Sequence, residues 1–300
     1  MLEVEFKLSV QSSSMADYSW VALIAISAIC WTISISLQRL VLKEKTSVIG
    51  YNALYGIIAS LFFVPFIFTT KLPAQPEAWI FFVITIGIWV IAGLLQRLQF
   101  RHSDIPLQVG VATSEMAFAF ILGIILLAES ITPMKIFGLL VVAAGIIISG
   151  FGEANRKLLM KVISIILVAS FFSALANVAD KYTIQFFDPF FFGFFLFFFP
   201  GVIPLIFIKK ESLKKTEELI LKKKWLVAGA ALSSAIAYLA VLMAYKIPTT
   251  EISTIYPVFE VLMLLAIPVS TIITGEKQNL FWKTIGAIVA TAGAILILGI

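Results

Sequence analysis

The chain has 300 residues, 61% of them hydrophobic and 13% charged, with a mean hydropathy of +1.05 and a formal net charge of +5. A soluble domain needs about twice that share of charge to clothe its surface, so the composition excludes one and describes a polytopic membrane protein. One cysteine, Cys30, excludes an intrachain disulfide, one histidine, His102, excludes zinc sites built from Cys and His, and the basic excess is read as membrane topology, with no nucleic acid as partner.

Residues 1 to 17 are polar and mixed in charge, without the basic, apolar and small-residue regions of a signal peptide, and form a flexible start. Crossing a hydrocarbon core of roughly 30 Å takes about 20 apolar residues. Ten such stretches follow, near 19 to 38, 50 to 69, 78 to 98, 105 to 127, 134 to 151, 160 to 182, 189 to 208, 225 to 245, 252 to 274 and 281 to 299. The expected fold is all-α, with ten transmembrane helices and almost nothing left for a soluble domain.

On the first stretch Trp31, Ser34 and Gln38 share a stripe suited to a cavity wall, and Arg39 closes the helix. Arg101 closes the third, Lys181 the sixth and Lys246 the eighth. Cations there complement the helix dipole and reach headgroups; turned inward, Arg39, Arg101, Lys181 and Lys246 would instead meet an anionic solute. Tyr51, Asn52 and Tyr55 open the second stretch, where the interfacial aromatic belt accounts for them.

The fourth stretch carries Glu115 near its middle, with Gln108 on the same helical face. A carboxylate at membrane depth costs roughly 2.5 to 3.5 kcal/mol and by default marks a pathway or binding site. The sixth carries Asn177 and Asp180, three apart on one face, with Lys181 four residues from Asn177. Residues 186 to 200, FFDPFFFGFFLFFFP, are read as lipid-facing, with Asp188-Pro189 turning the chain. The mixed-charge segment 209 to 224, KKESLKKTEELILKKK, reads as a solvated helical loop that helps set orientation. On the ninth stretch Glu260 shares a face with Ser253, Tyr256 and Pro257. Burial disfavours a charged carboxyl, which makes Glu115 and Glu260 candidates for proton coupling as well as for lining a cavity. The competing structural role is a hydrogen bond between helices.

An internal repeat organises these residues. Trp79 and Trp225 open corresponding helices, and with a one-residue gap Phe100-Arg101 pairs with Tyr245-Lys246, Glu115 with Glu260, and Arg39 with Lys181. Leu127-Ala-Glu129 precedes Gly138 and Gly145 as Thr274-Gly-Glu276 precedes Gly286 and Gly293, the glycines seven apart in both copies. The copies, 18 to 152 and 153 to 300, hold five stretches each. Five is odd, so the second copy enters the membrane from the opposite side and the repeats are inverted. Inverted repeats place substrate near the midplane between the halves and permit alternating access. The glycine seams suit close helix packing of the fifth and tenth stretches with each other or with a partner.

The segments LAESITPMKIFGLLVVAAGIIISG (127 to 150) and ITGEKQNLFWKTIGAIVATAGAILILG (273 to 299) resemble the Glu-then-Gly signature of the EamA domain, and IYPVFEVL (255 to 262) is similar to the ninth helix of that group. The first repeat departs from it in having Ala112 where the second has the proline. The tandem arrangement resembles the ten-helix branch of the drug/metabolite transporter superfamily. That resemblance implies a transporter without cofactor, and it implies cytoplasmic termini. It also marks Glu129 and Glu276 as loop glutamates, suited to capping the helices that follow.

Charge predicts the opposite orientation. Seventeen Lys and Arg flank the loops after the odd-numbered stretches, against Lys7, Lys71, Lys135, Lys181 and Lys246 on the other side, and by the positive-inside rule the richer side is cytoplasmic and both termini are outside. An enzyme would need a metal cluster, a His-rich box, a nucleophile with its base or a phosphate loop, and a channel a filter-like segment; none is legible. The expected function is a secondary transporter of a small organic metabolite, amino acid-like or otherwise, in the plasma or inner membrane. The alternatives are a multidrug exporter and a flippase of a lipid-linked phosphate. Two fused repeats suffice for a working monomer, with a dimer left open.

Overall fold

A computed structural model gives the architecture. It describes residues 19–44, 47–68, 70, 72–127, 133–149, 156–207, 218, 221–248, 250, 252–264, 266–275 and 279–298, without the side chains of 123, 124, 135, 156–158, 253, 254, 257, 260, 294, 297 and 298. The expectations for residues 1 to 17, Glu129, Glu276 and most of the segment 209 to 224 lie outside the described residues.

Among the described residues the chain is helical, without a strand: α1 (Ser19–Leu42), α2 (Val48–Leu61), α3 (Val64–Ile67), α4 (Pro76–His102), α5 (Ile105–Ala112), α6 (Ser114–Leu127), α7 (Pro133–Ser149), α8 (Arg156–Thr183), α9 (Pro189–Val202), α10 (Lys224–Lys246), α11 (Ile252–Met263), α12 (Ala266–Thr274) and α13 (Leu280–Leu298). Among the described residues six segments are long and apolar enough to cross a membrane, namely Ser19–Leu42, Pro76–His102, Ile105–Leu122, Leu159–Thr183, Pro189–Phe207 and Lys224–Lys246, and shorter apolar helices accompany them. Ile125, Leu140, Phe207 and Ile272 stand exposed on the outside, as a wall facing acyl chains requires. The chain is a multi-pass integral membrane protein.

Proline chemistry sets most of the interruptions. Pro65 and Pro268 lack the N–H that would donate to the carbonyl four residues back, and the helices break just ahead of them, at Phe62-Phe63 and after Met263. At the end of α9, Pro204 has no donor for the carbonyl of Pro200, and Asn52 of α2 supplies one at 2.8 Å. The chain there tightens into a 3₁₀ turn, Ile203–Phe207.

The helices of the first half pack chiefly on helices of the second: α1 on α10, α2 on α9, α4 on α8, and α7 on α13. The α7–α13 seam is a backbone contact. A Cβ on Gly145 would stand 2.6 Å from the carbonyl oxygen of Gly286, and one on Gly293 would stand 2.7 Å from that of Gly138, so small residues let the two helices touch.

The phenylalanine-rich stretch departs from expectation. Phe187, Phe192 and Phe197 are buried, with Phe82 of α4 5.2 Å from Phe187 and Phe63 stacked 6.0 Å from Phe197, centroid to centroid. A helix with rings on every face cannot turn all of them to lipid, and those toward α2 and α4 become core. Asp188 caps this helix, accepting from the Phe190 amide at 2.8 Å.

Candidate functional site

A cavity lies where both halves of the chain meet, walled by α1, α4, α6, α8, α10 and α11. Glu115 reaches it from the first turn of α6. That helix begins afresh after Thr113, whose hydroxyl turns back to the Val109 carbonyl at 3.0 Å. The break sets the carboxylate in the first turn of a helix, where the helix dipole favours a negative charge. Glu115 Oε1 accepts from Asn177 Nδ2 of α8 and from the Tyr256 hydroxyl of α11, both at 3.1 Å. Asn177 in turn accepts from the Tyr245 hydroxyl at 3.3 Å. One carboxylate of the first half is thus held by two helices of the second.

Asp180 forms the next layer. It is fully buried, and its Oδ2 accepts from Trp89 Nε1 at 2.9 Å and from the Tyr238 hydroxyl. Both rings wall the cavity, and they meet edge to face with centroids 5.4 Å apart. Asp180 therefore acts on the cavity through the aromatic pair that it orients. Trp31, Tyr245 and Tyr256 add further rings to the lining. Such walls stack planar groups and attract cations.

The remaining expected residues whose side chains are described lie outside the lining. Gln38 is buried against α10, donating to Ser34 at 2.9 Å, while Ser34 bonds to the Ala230 carbonyl at 2.7 Å. Gln108 donates to the Ser103 carbonyl at 2.9 Å and so ties the start of α5 to the end of α4. Lys181 turns away from the lining, donating to the Tyr245 carbonyl at 2.7 Å and to Thr250 Oγ1 at 2.9 Å. It follows Asp180 by one residue, and one residue is a rotation of about 100° on a helix. Arg39 donates to the carbonyls of Phe100 and Arg101 at 2.9 and 2.8 Å, and Lys246 to that of Phe187 at 2.6 Å. Arg101 itself is half-buried at the end of α4. Glu260 and Ser253 lie on α11, but their side chains are outside the described residues.

Trp89, Gln96, Tyr238 and Tyr245 were not singled out as cavity residues from the sequence. Their signal is a seven-residue spacing, Trp89 with Gln96 on α4 and Tyr238 with Tyr245 on α10, which keeps each pair on one face. Gln96 donates to Ser173 of α8 at 3.0 Å. Among the described residues no three His, Cys, Asp or Glu side chains group to hold a metal.

The comparisons with known proteins agree with a membrane transporter. The model of the EamA-like transporter family matches residues 18–151 and again 160–299. No curated protein matches the chain. A solved crystal structure of a protein 13% identical superposes with a TM-score of 0.63, covering 93% of this chain and 96% of its own, a likeness of fold. With nearly its whole length matched in two consecutive segments, and a polar, aromatic-walled cavity between them, this chain belongs to the EamA-like transporter family.

Proposed function

We propose that the protein is a secondary transporter of ten membrane-spanning helices in two inverted five-helix repeats, residues 18 to 152 and 153 to 300, that moves a small organic solute across the plasma or inner membrane by alternating access. The observation that carries this is the Glu115 carboxylate, which lines a cavity between the halves and is held by Asn177 and Tyr256 from the opposite half. Rocking of one half against the other would break those bonds, so the state of the carboxyl is coupled to which side the cavity faces. The exchange of partners supports the repeat: α1 packs on α10 as α8 packs on α4. Glu260, the residue paired with Glu115 in the sequence repeat, is assigned the matching role.

The test is transport by proteoliposomes. Glu115→Gln and Glu260→Gln are expected to lower solute uptake and flatten its pH dependence while the protein still folds. Full, pH-dependent uptake by the double variant removes both carboxylates from the mechanism. A thermal-shift panel of amino acids, sugar phosphates, nucleotides and cationic drugs identifies the solute, because a ligand stabilises only the protein that binds it. A second reading, an exporter of cationic drugs, is favoured by the carboxylate among six aromatic residues; stabilisation by cations alone would select it. Membrane orientation is assigned with both termini outside, and a C-terminal reporter active only in the cytoplasm reverses it.

A further inference from the structure

Trp31, Trp89, Gln96 and Tyr238 of the cavity wall also line a second, smaller chamber among α2, α4 and α9. Arg97 faces this chamber. It is only 4% exposed, and its guanidinium lies 4.3 Å from the centroid of the Tyr55 ring and 5.7 Å from that of Phe100. Its Nε and Nη1 have no hydrogen-bond partner, and neither does the buried hydroxyl of Tyr55. Among the described residues no carboxylate is paired with Arg97.

A guanidinium keeps its charge in any protein environment, so Arg97 cannot relieve its burial by shedding a proton. Buried charges are otherwise paired. The ring of Tyr55 engages the flat face of the guanidinium and leaves free the donors along its edge, the part that grips planar oxyanions. An arginine serving the membrane surface would send its head out to the lipid headgroups. Arg97 lies about 12 Å along the helix from Trp89 and is turned into the protein. Arg39, Lys181 and Lys246, by contrast, spend donors on backbone carbonyls.

We propose that Arg97, with the Tyr55 hydroxyl beside it, is the anion-recognising end of the substrate site, taking a carboxylate or phosphate group of a solute whose body lies against Trp31, Trp89 and Tyr238. This rests on the transporter reading above and narrows the substrate to solutes that carry an oxyanion.

The test is calorimetric titration of the purified full chain with benzoate, phenyl phosphate and neutral benzamide. At least one of the two anions binds saturably, and benzamide binds about tenfold or more weakly, because it lacks the charge-assisted bonds. The stronger anion names the oxyanion class. Arg97→Gln abolishes the preference, whereas Arg97→Lys keeps phenyl phosphate better than benzoate, since an ammonium holds a point charge without the planar fork. Equal binding of all three probes to the wild-type protein, binding of neither anion, or a preference that survives Arg97→Gln overturns the assignment. The wild-type comparison needs no variant to fold. Arg97-dependent anion binding by a protein that moves no solute would sink the transporter reading alone. Transport through a site indifferent to anions would sink this inference alone.

Discussion

Lys181 donates to the carbonyl of Tyr245 at 2.7 Å, and Arg39 donates to that of Phe100 at 2.9 Å. A cation from the last turn of α8 closes α10 in the way that one from the last turn of α1 closes α4. The final carbonyls of a helix have no intrahelical donor, and a cation beside them contributes about 0.3 to 1 kcal/mol, up to roughly 2 in a partly buried setting. Lys181→Met should therefore lower thermal stability in detergent by about 1 kcal/mol and leave the KM of an anionic solute unchanged. A raised KM with an unmoved melting curve would instead return Lys181 to solute binding.

Asp180 supports a second expectation. Two donors, Trp89 Nε1 and the Tyr238 hydroxyl, converge on its Oδ2, while Oδ1 has no partner. Asp180→Ala orphans both donors inside the protein, at roughly 1 to 3 kcal/mol each. Asp180→Asn keeps an oxygen where both can reach it. Melting temperature should fall in the order wild type, Asn, Ala, and the Ala variant should lose solute affinity as Trp89 and Tyr238 loosen. Equal melting of the two variants would mean that the pair is held by packing instead.

How much of this was legible beforehand depends on the residue. Glu115, Asn177 and Tyr256 stood out because polar groups inside apolar stretches need a reason, and they meet one another in the structure. Trp89 and Tyr238 did not, because an aromatic ring on an apolar span serves lipid, core and ligand equally well. Arg97 counted only as one more basic residue near a helix end; its burial depends on how α2 and α9 pack, which no local pattern encodes. Lys181 and Asp180 are neighbours in sequence with opposite destinations, one a helix end and the other the layer behind the cavity. The breaks near Pro65 and Pro268 follow from missing amides, but the one at Thr113 has no proline. It is the break that sets Glu115 at a helix start.

The α7–α13 seam gives a contrast within one residue type. A side chain at Gly286 would collide with backbone, the Gly145 carbonyl lying 2.6 Å from its Cβ, whereas at Gly87 of α4 nothing lies within 4 Å. Gly286→Val should destabilise by about 1 to 3 kcal/mol through overpacking. Gly87→Ala should be neutral or should stabilise by about 0.5 to 1 kcal/mol, because glycine is the poorer helix former. Thermal unfolding of both variants checks the pair, and a tolerated Gly286→Val would show that the helices can part without cost.

Lys283 of α13 is buried, with a side chain 1% exposed, and its ammonium lies 2.5 Å from Asp104 Oδ2. The other carboxylate oxygen caps α5, accepting from the Leu107 amide at 3.0 Å. The same aspartate therefore fixes the start of the helix pair that leads to Glu115 and ties it to the far half of the chain. Asp104→Asn keeps an oxygen for the cap but removes the charge opposite Lys283, and breaking a buried pair from one side costs about 3 to 5 kcal/mol. Adding Lys283→Met removes the stranded cation and should recover most of that loss, since well-packed apolar replacements of buried pairs are often neutral. Transport separates two mechanical roles. If α5 and α13 travel as one body, the double variant transports like wild type once its stability is restored. If the pair opens and closes with each cycle, the double variant keeps its stability but changes its turnover rate, and uptake measured at saturating solute tells the two apart.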